Sequence, residues 1–264
     1  MTKVTTVSFR DRKARGEKIS MLTAYDYPSA CILDEAQVDA ILVGDSVGMA
    51  VMGYDSTLPV TVDDILHHTR MVSRGAKRAL IVADMPFLSY HVSPEESVRN
   101  AGRLIAEGGA HAVKVEGPVR RIGKALDAIL AAGIPVMGHL GLTPQAVHQF
   151  GGFKVQGKGA EAQEQLLADA RALEDAGCFG IVLECIPRSL ASTVSESLTI
   201  PTIGIGAGAG CDGQVLVLHD ILGWGKARFA HTFFDARAAI GQAASEFVSA
   251  VSTGVYPAEE HGYE

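Results

Sequence analysis

A chain of 264 residues has the length of one α/β barrel or two small domains, and its 47% apolar residues supply a substantial core. Charged residues make up 20%, below the roughly 25% of an average globular protein, which argues against a disordered chain. A net charge of -7 with no long basic stripe argues against nucleic acid or anionic membrane as a main partner, since phosphate binding needs clustered Lys and Arg. Behind the charged segment Arg10 to Lys18, the first apolar run extends from Ile19 to Ala24. It is internal, and no signal peptide is expected. Further short apolar runs follow at Ala40 to Val43, Ala79 to Ala83, Ala112 to Val115, Ile134 to Met137, Phe179 to Leu183, Pro201 to Ile205 and Lys226 to Ala230. Near-continuous rather than alternating apolarity suits parallel strands covered on both faces.

Amphipathic stretches separate these runs. One covers Val62 to Val72. The next opens at Ser93-Pro94-Glu95-Glu96, with an N-cap, a proline at the first helical position and a capping-box glutamate. Its stripe is Val98, Ala101, Leu104 and Ile105, and Gly108-Gly109 ends it. Arg120 to Ala132 is a third, and Glu161 to Ala176, with Leu166, Leu167, Ala170 and Leu173 on one face, ends at Gly177. Eight strand–helix units in this length predict an α/β protein, a single (β/α)8 TIM barrel over residues 1–264 with a short N-terminal extension and a C-terminal tail. The rival, a doubly wound open sheet, expects a glycine-rich phosphate turn after the first strand, where Ala24-Tyr25-Asp26-Tyr27-Pro28 stands instead. The longest apolar stretch, Ala128 to Gly138, is broken by Gly133 and Pro135 and falls short of the ~20 residues that span a bilayer. Cys31, Cys178, Cys185 and Cys211 show neither a Cys-x-x-Cys pair nor zinc spacing, so reduced thiols in a cytoplasmic protein are expected.

In a parallel barrel the active site lies at the C-terminal ends of the strands, so the residue that follows each run is informative. Gly44-Asp45-Ser46 follows the second run and Asp84-Met85-Pro86 the third. Lys114-Val115-Glu116-Gly117 closes the fourth, Gly138-His139-Leu140-Gly141 follows the fifth, and Glu184-Cys185 the sixth. Asp45, Asp84 and Glu116 thus stand on neighbouring strand ends about 4.8 Å apart, close enough for their carboxylates to converge. Such a cluster repels itself. A hard octahedral cation such as Mg²⁺ relieves the repulsion and leaves positions for substrate oxygens, and no soft-ligand set points to zinc or copper. Each residue also has a structural reading: Asp45 and Asp84 as caps or turns, Glu116 as a solvated loop residue, Lys114 as a snorkelling side chain, His139 as a core histidine. Glu184 closes Ile-Val-Leu-Glu, where a carboxylate needs a partner or a task. Five successive strand ends would all need the structural account at once, which favours a site. The glycine-rich connection Leu142 to Gly159 reads as a lid. Gly204 to Gly210 lacks the Lys-Ser/Thr of a P-loop and follows a late strand, which argues against a phosphate cradle.

Longer strings are specific. Thr23-Ala24-Tyr25-Asp26, Val43-Gly44-Asp45-Ser46-Val47-Gly48-Met49, Asp55-Ser56-Thr57-Leu58-Pro59-Val60-Thr61 and Gly138-His139-Leu140-Gly141-Leu142-Thr143-Pro144-Gln145 resemble the ketopantoate hydroxymethyltransferase family. So do Phe150-Gly151-Gly152-Phe153-Lys154-Val155-Gln156-Gly157, Leu183-Glu184-Cys185 and the tail from Gly254 to His261. The resemblance implies a Mg²⁺-dependent (β/α)8 barrel, assembled as a homodecamer of two pentameric rings. It also implies transfer of a one-carbon unit from 5,10-methylenetetrahydrofolate to 3-methyl-2-oxobutanoate, giving 2-dehydropantoate in the first step of pantothenate synthesis. By resemblance Asp45, Asp84 and Glu116 fall on metal-site positions, some acting through water. Ser46, Lys114 and His139, together with Asp45 and Asp84, fall on keto-acid positions, and Glu184 on the general base. The segment Gly223 to Arg228 is shorter than in some relatives. A Mg²⁺-dependent lyase or mutase of the phosphoenolpyruvate mutase/isocitrate lyase type is the enzymatic alternative, but no Lys-x-Cys-Gly-His loop is present. A non-catalytic scaffold would have lost some of the seven strand-end residues, and all are in place.

Overall fold

The computed structural model describes residues 2–225 and 227–264. Eight parallel strands close into a barrel in sequence order: β1 (Ile19–Thr23), β2 (Ala40–Val43), β3 (Leu80–Asp84), β4 (Ala112–Glu116), β5 (Val136–Gly141), β6 (Gly180–Glu184), β7 (Thr202–Ile205) and β8 (Gly213–Leu216). β8 returns to β1 through the register Ile19↔Gly213 and Met21↔Val215, which leaves the barrel no free edge. Around it run α1 (Thr6–Ala14), α2 (Tyr27–Glu35), α3 (Val47–Ala50), α4 (Val62–Gly75), α5 (Pro94–Ala106), α6 (Val119–Ala131), α7 (Val147–Phe150), α8 (Ala160–Asp175) and α9 (Arg188–Ser197). The expected N-cap of α5 forms, the Ser93 hydroxyl accepting from the Glu96 N–H at 3.1 Å, while the reciprocal capping box is found at the head of α4, between Thr61 and Asp64.

Side chains alternate across each strand, so one parity fills the barrel. That parity supplies Ile19 and Met21, Ala40 and Leu42, Leu80 and Val82, Ala112, Met137, Val182, Ile203 and Val215 to a buried apolar core. The same parity continues upward into Asp84 on β3, Lys114 and Glu116 on β4, His139 on β5 and Glu184 on β6. The apolar runs therefore end before their strands do. Asp84, Glu116 and Glu184 are the last inward positions of their strands, with Lys114 and His139 one inward position earlier, where a rigid ladder holds them, while Asp45 and Ser46 follow the end of β2. Below, α1 covers the N-terminal end: Phe9 is fully buried in the same core, and the Val4 N–H donates to the Arg78 carbonyl at 2.8 Å.

One expectation is corrected. The eighth strand is Gly213–Leu216, not Lys226 to Ala230; Lys226 lies outside the described residues, and Ala227–Ala230 forms no strand. β8 opens on a glycine, carries the exposed Gln214 and is reached from β7 by a short connection without a helix, so nothing in its sequence stands out as an apolar run. The contacts group the chain into two compact units, one ending at Val217 and one from Leu218 to Glu264. The second contains α10 (Leu218–Ile221) and the 18-residue α11 (Ala236–Thr253), which Asp235 caps and Gly254 ends in a left-handed turn. Among the described residues, no helix is long and apolar enough to cross a membrane.

Candidate active site

The sequence-predicted residues meet at the C-terminal ends of β2 to β6. The Asp45 N–H donates to Asp84 Oδ2 at 2.9 Å, which joins the second strand end to the third. Lys114 Nζ stands 2.9 Å from Asp84 Oδ1 and 3.6 Å from Glu116 Oε1. His139 lies between two carboxylates, with Nδ1 3.2 Å from Glu116 Oε1 and Nε2 3.2 Å from Glu184 Oε2. Ser46 stands at the rim, its hydroxyl 2.8 Å from that of Tyr25. Asp45, Asp84, Lys114, Glu116 and His139 are each 5% exposed or less, whereas the Glu184 side chain keeps 15%. Glu184 is thus the most accessible carboxylate of this cluster.

Burial sets the electrostatics, and neighbours decide the sign. For His139, burial and Lys114 oppose the charge, but Glu116 and Glu184 outweigh them and raise its pKa to about 9, so it is a cation at neutral pH. For Glu116, burial opposes ionisation, yet His139 and Lys114 hold it down at about 2. Lys114 also stays charged: burial works against it, and Asp84, Glu116 and Asp45 together raise its pKa. Asp45 goes the other way. Burial and then the charges of Asp84 and Glu116 lift its carboxyl well above the usual range, with only partial relief from Lys114 and Gln145.

Local backbone choices aim these groups. Gly141 adopts φ 90, and a Cβ there would collide with the Glu184 carbonyl and lie 2.7 Å from Ile186 Cγ2, so only glycine lets β5 end against β6. Cys185, directly after Glu184, takes the left-handed φ of 48, held by its N–H on the Ile205 carbonyl and its carbonyl on the Gln156 N–H, each at 2.9 Å. Burial and Glu184 push the Cys185 thiol up to about 11, which leaves no thiolate nucleophile at neutral pH. The bond to Gln156 brings the 142–159 connection back over β6. Beside it lies a cavity of about 320 Å³ lined by Arg120, Arg121, Thr143, Phe150 and Gln156 among others.

Sequence reading missed two residues of this network, Gln145 and Tyr90. The Gln145 side-chain amide donates to Asp45 Oδ2 at 2.9 Å, and the Tyr90 hydroxyl donates to Gln145 Oε1 at 2.8 Å. Gln145 closes the string Gly-Leu-Thr-Pro-Gln that carries the resemblance, and that was the available signal; Tyr90 offers none.

A family model described as ketopantoate hydroxymethyltransferase matches residues 3–259. The chain belongs to this family. A relative from Syntrophus aciditrophicus (strain SB), named 3-methyl-2-oxobutanoate hydroxymethyltransferase, is 55% identical over 99% of this chain and 97% of its own length. One of the same name from Bacillus cereus (strain AH187) is 53% identical over 98% and 94%. Among solved structures, a phosphonopyruvate hydrolase in complex with oxalate and Mg²⁺ aligns with a TM-score of 0.65 over 100% of this chain and 92% of that one, at 14% identity. A 2,3-dimethylmalate lyase aligns with a TM-score of 0.61 over 98% and 91%, at 16% identity. At such identity these two share the barrel fold.

The donor set of this ketopantoate hydroxymethyltransferase family member fits a hard cation. Asp45 is a buried carboxylate whose charge is opposed by two others, the condition a divalent ion relieves. Glu116 is already engaged by His139, Lys114 and the Gln145 N–H, at 3.1 Å. Among the described residues no group of three His, Cys, Asp or Glu is arranged to hold a metal. Asp84 is likewise engaged, by Lys114 and the Asp45 N–H, each at 2.9 Å, so Asp45 is the carboxylate with the most to gain from a cation, and Mg²⁺ characteristically uses one or two carboxylates plus water and substrate.

Proposed function

We propose that the protein transfers a hydroxymethyl unit from 5,10-methylenetetrahydrofolate to 3-methyl-2-oxobutanoate, giving 2-dehydropantoate for pantothenate synthesis. The observation that carries this reading is Glu184, the most accessible carboxylate of a desolvated cluster, 3.2 Å from the cationic His139 in a member of this family. Asp45, Asp84 and Glu116 would hold Mg²⁺, which would supply Lewis-acid polarisation of the keto group beside the C3 proton. Lys114 and Ser46 hold the keto-acid carboxylate, and His139 faces the keto acid from β5. Glu184 takes the C3 proton; a base held at the reacting atom contributes about 10²–10⁴-fold. Lys114 and His139 are buried, fixed positive charges and favour the enolate that results. The enolate carbon bonds to the one-carbon unit, water supplies the hydroxyl oxygen, and tetrahydrofolate leaves. From family membership we also infer a homodecamer, acting on small molecules in the cytoplasm.

The test is proton NMR of 3-methyl-2-oxobutanoate in D₂O with Mg²⁺, comparing the native chain with Glu184→Gln. The native chain is expected to exchange the C3 proton and to form 2-dehydropantoate only once 5,10-methylenetetrahydrofolate is added. Glu184→Gln is expected to bind the keto acid and exchange at least about 100-fold more slowly. Exchange at the native rate in Glu184→Gln removes this residue as the base. Exchange by the native chain with no product on adding the folate removes the donor and leaves the enolising site.

A further inference from the structure

Gln145 is 5% exposed and sits in the short turn Pro144–Ala146, where the 142–159 connection begins. Its side-chain Nε2 donates to Asp45 Oδ2 at 2.9 Å and to the Met85 carbonyl at 3.0 Å. Its Oε1 accepts from the Tyr90 hydroxyl at 2.8 Å, and its backbone N–H donates to Glu116 Oε2 at 3.1 Å. Both hydrogens of the amide are in use, and the reverse orientation would set Oε1 against a carboxylate and a carbonyl. The orientation is therefore fixed by its surroundings, and the Tyr90 hydroxyl, which also accepts from the Glu116 N–H at 3.0 Å, fixes it from behind. One buried side chain thus ties Asp45, the loop after β3 and the root of the 142–159 connection together.

We propose that Gln145 is a positioning residue for the divalent cation: by holding Asp45 Oδ2, it presents the Asp45 carboxylate to the ion. This rests on the cation site proposed above. A hydrogen bond to a ligating carboxylate restricts its rotation, and loss of such a partner typically costs about 10–100-fold in metal affinity. Gln145 acts through Asp45 and not on substrate.

Mn²⁺, which takes the same oxygen ligands, reports the site directly by electron paramagnetic resonance of the free ion, without turnover. Titration of the native chain, Asp84→Asn, Gln145→Met and Gln145→Asn separates the possibilities. The methionine keeps the length of the side chain without its hydrogen bonds; the asparagine keeps the amide but ends one methylene short of Asp45. Both Gln145 variants are expected to bind Mn²⁺ about 10-fold or more weakly than the native chain. A lowered melting temperature with native Mn²⁺ affinity would mean a purely structural amide and overturn the proposal. If Gln145→Met does not fold, Gln145→Asn decides on the same criterion. No Mn²⁺ binding by the native chain, or native affinity in Asp84→Asn, would instead remove the cation site itself, and this role with it.

Discussion

His139 carries its proton because two carboxylates flank it, and that proton is part of the fold's stability. Its folded value of about 9 lies above the ordinary 6.5, so the bound proton stabilises the native state fully below about pH 6.5. The contribution disappears as the pH rises through about 9. The urea midpoint of the native chain is expected to fall between about pH 6.5 and 9.5, and to fall less in His139→Gln, which has no proton to lose there. An identical fall in both chains would place the pH dependence elsewhere. Asp45, Asp84, Lys114, Glu116, His139 and Glu184 were legible in the sequence because each breaks or closes an apolar run at a strand end. Gln145 and Tyr90 were not. Gln145 reaches Asp45 across 100 positions of sequence, and neither residue interrupts a hydrophobic pattern.

Asp34, in the last turn of α2, shows the same kind of long-range link between elements. Its carboxylate accepts from the backbone N–H groups of Lys77, Arg78 and Ala79 at 3.0, 3.0 and 2.8 Å, and so clamps the turn that leads from α4 into β3. Burial works against its charge, but these three N–H groups prevail and lower its pKa below 3.8. A depressed value means stability that is present above about pH 3.8 and lost as the pH falls through the folded value. Asp34→Ala is expected to cost about 1.5 kcal/mol at pH 7, the low end for three bonds because water reaches the partly exposed turn. The gap to the native chain should close in acid, and a gap of constant size from pH 7 to about pH 3 would show that the charge plays no part. The helices at Val62, Pro94, Val119 and Ala160 could be read from caps and period, since those signals are local. The eighth strand could not. Gly213 and Gln214 become strand only because β1 and β7 offer partners on both sides.

Across the molecule the apolar seal and the charged cluster occupy opposite ends of the barrel. Near-continuous apolar runs made the closed parallel barrel legible, because only strands covered on both faces need them. The seal at its N-terminal end was not legible: α1 is mostly polar, and its one fully buried side chain, Phe9, packs edge-on against Phe179 with ring centroids 6.0 Å apart. Phe9→Ala removes a large buried ring from a core to which all eight strands contribute, and such changes cost about 3–5 kcal/mol. The expected result is a lowered urea midpoint with unchanged m-value, since the native and unfolded surfaces stay nearly the same. The acidic cluster lies at the opposite ends of these strands and is held by its own hydrogen bonds to Gln145, Tyr90 and the Asp45 N–H. C3 exchange of 3-methyl-2-oxobutanoate by Phe9→Ala, measured well below its melting temperature, should therefore proceed at the native rate per folded molecule. A folded variant that has lost exchange would mean that strain at the bottom of the barrel reaches Glu184, and the two ends would have to be treated as one cooperative unit.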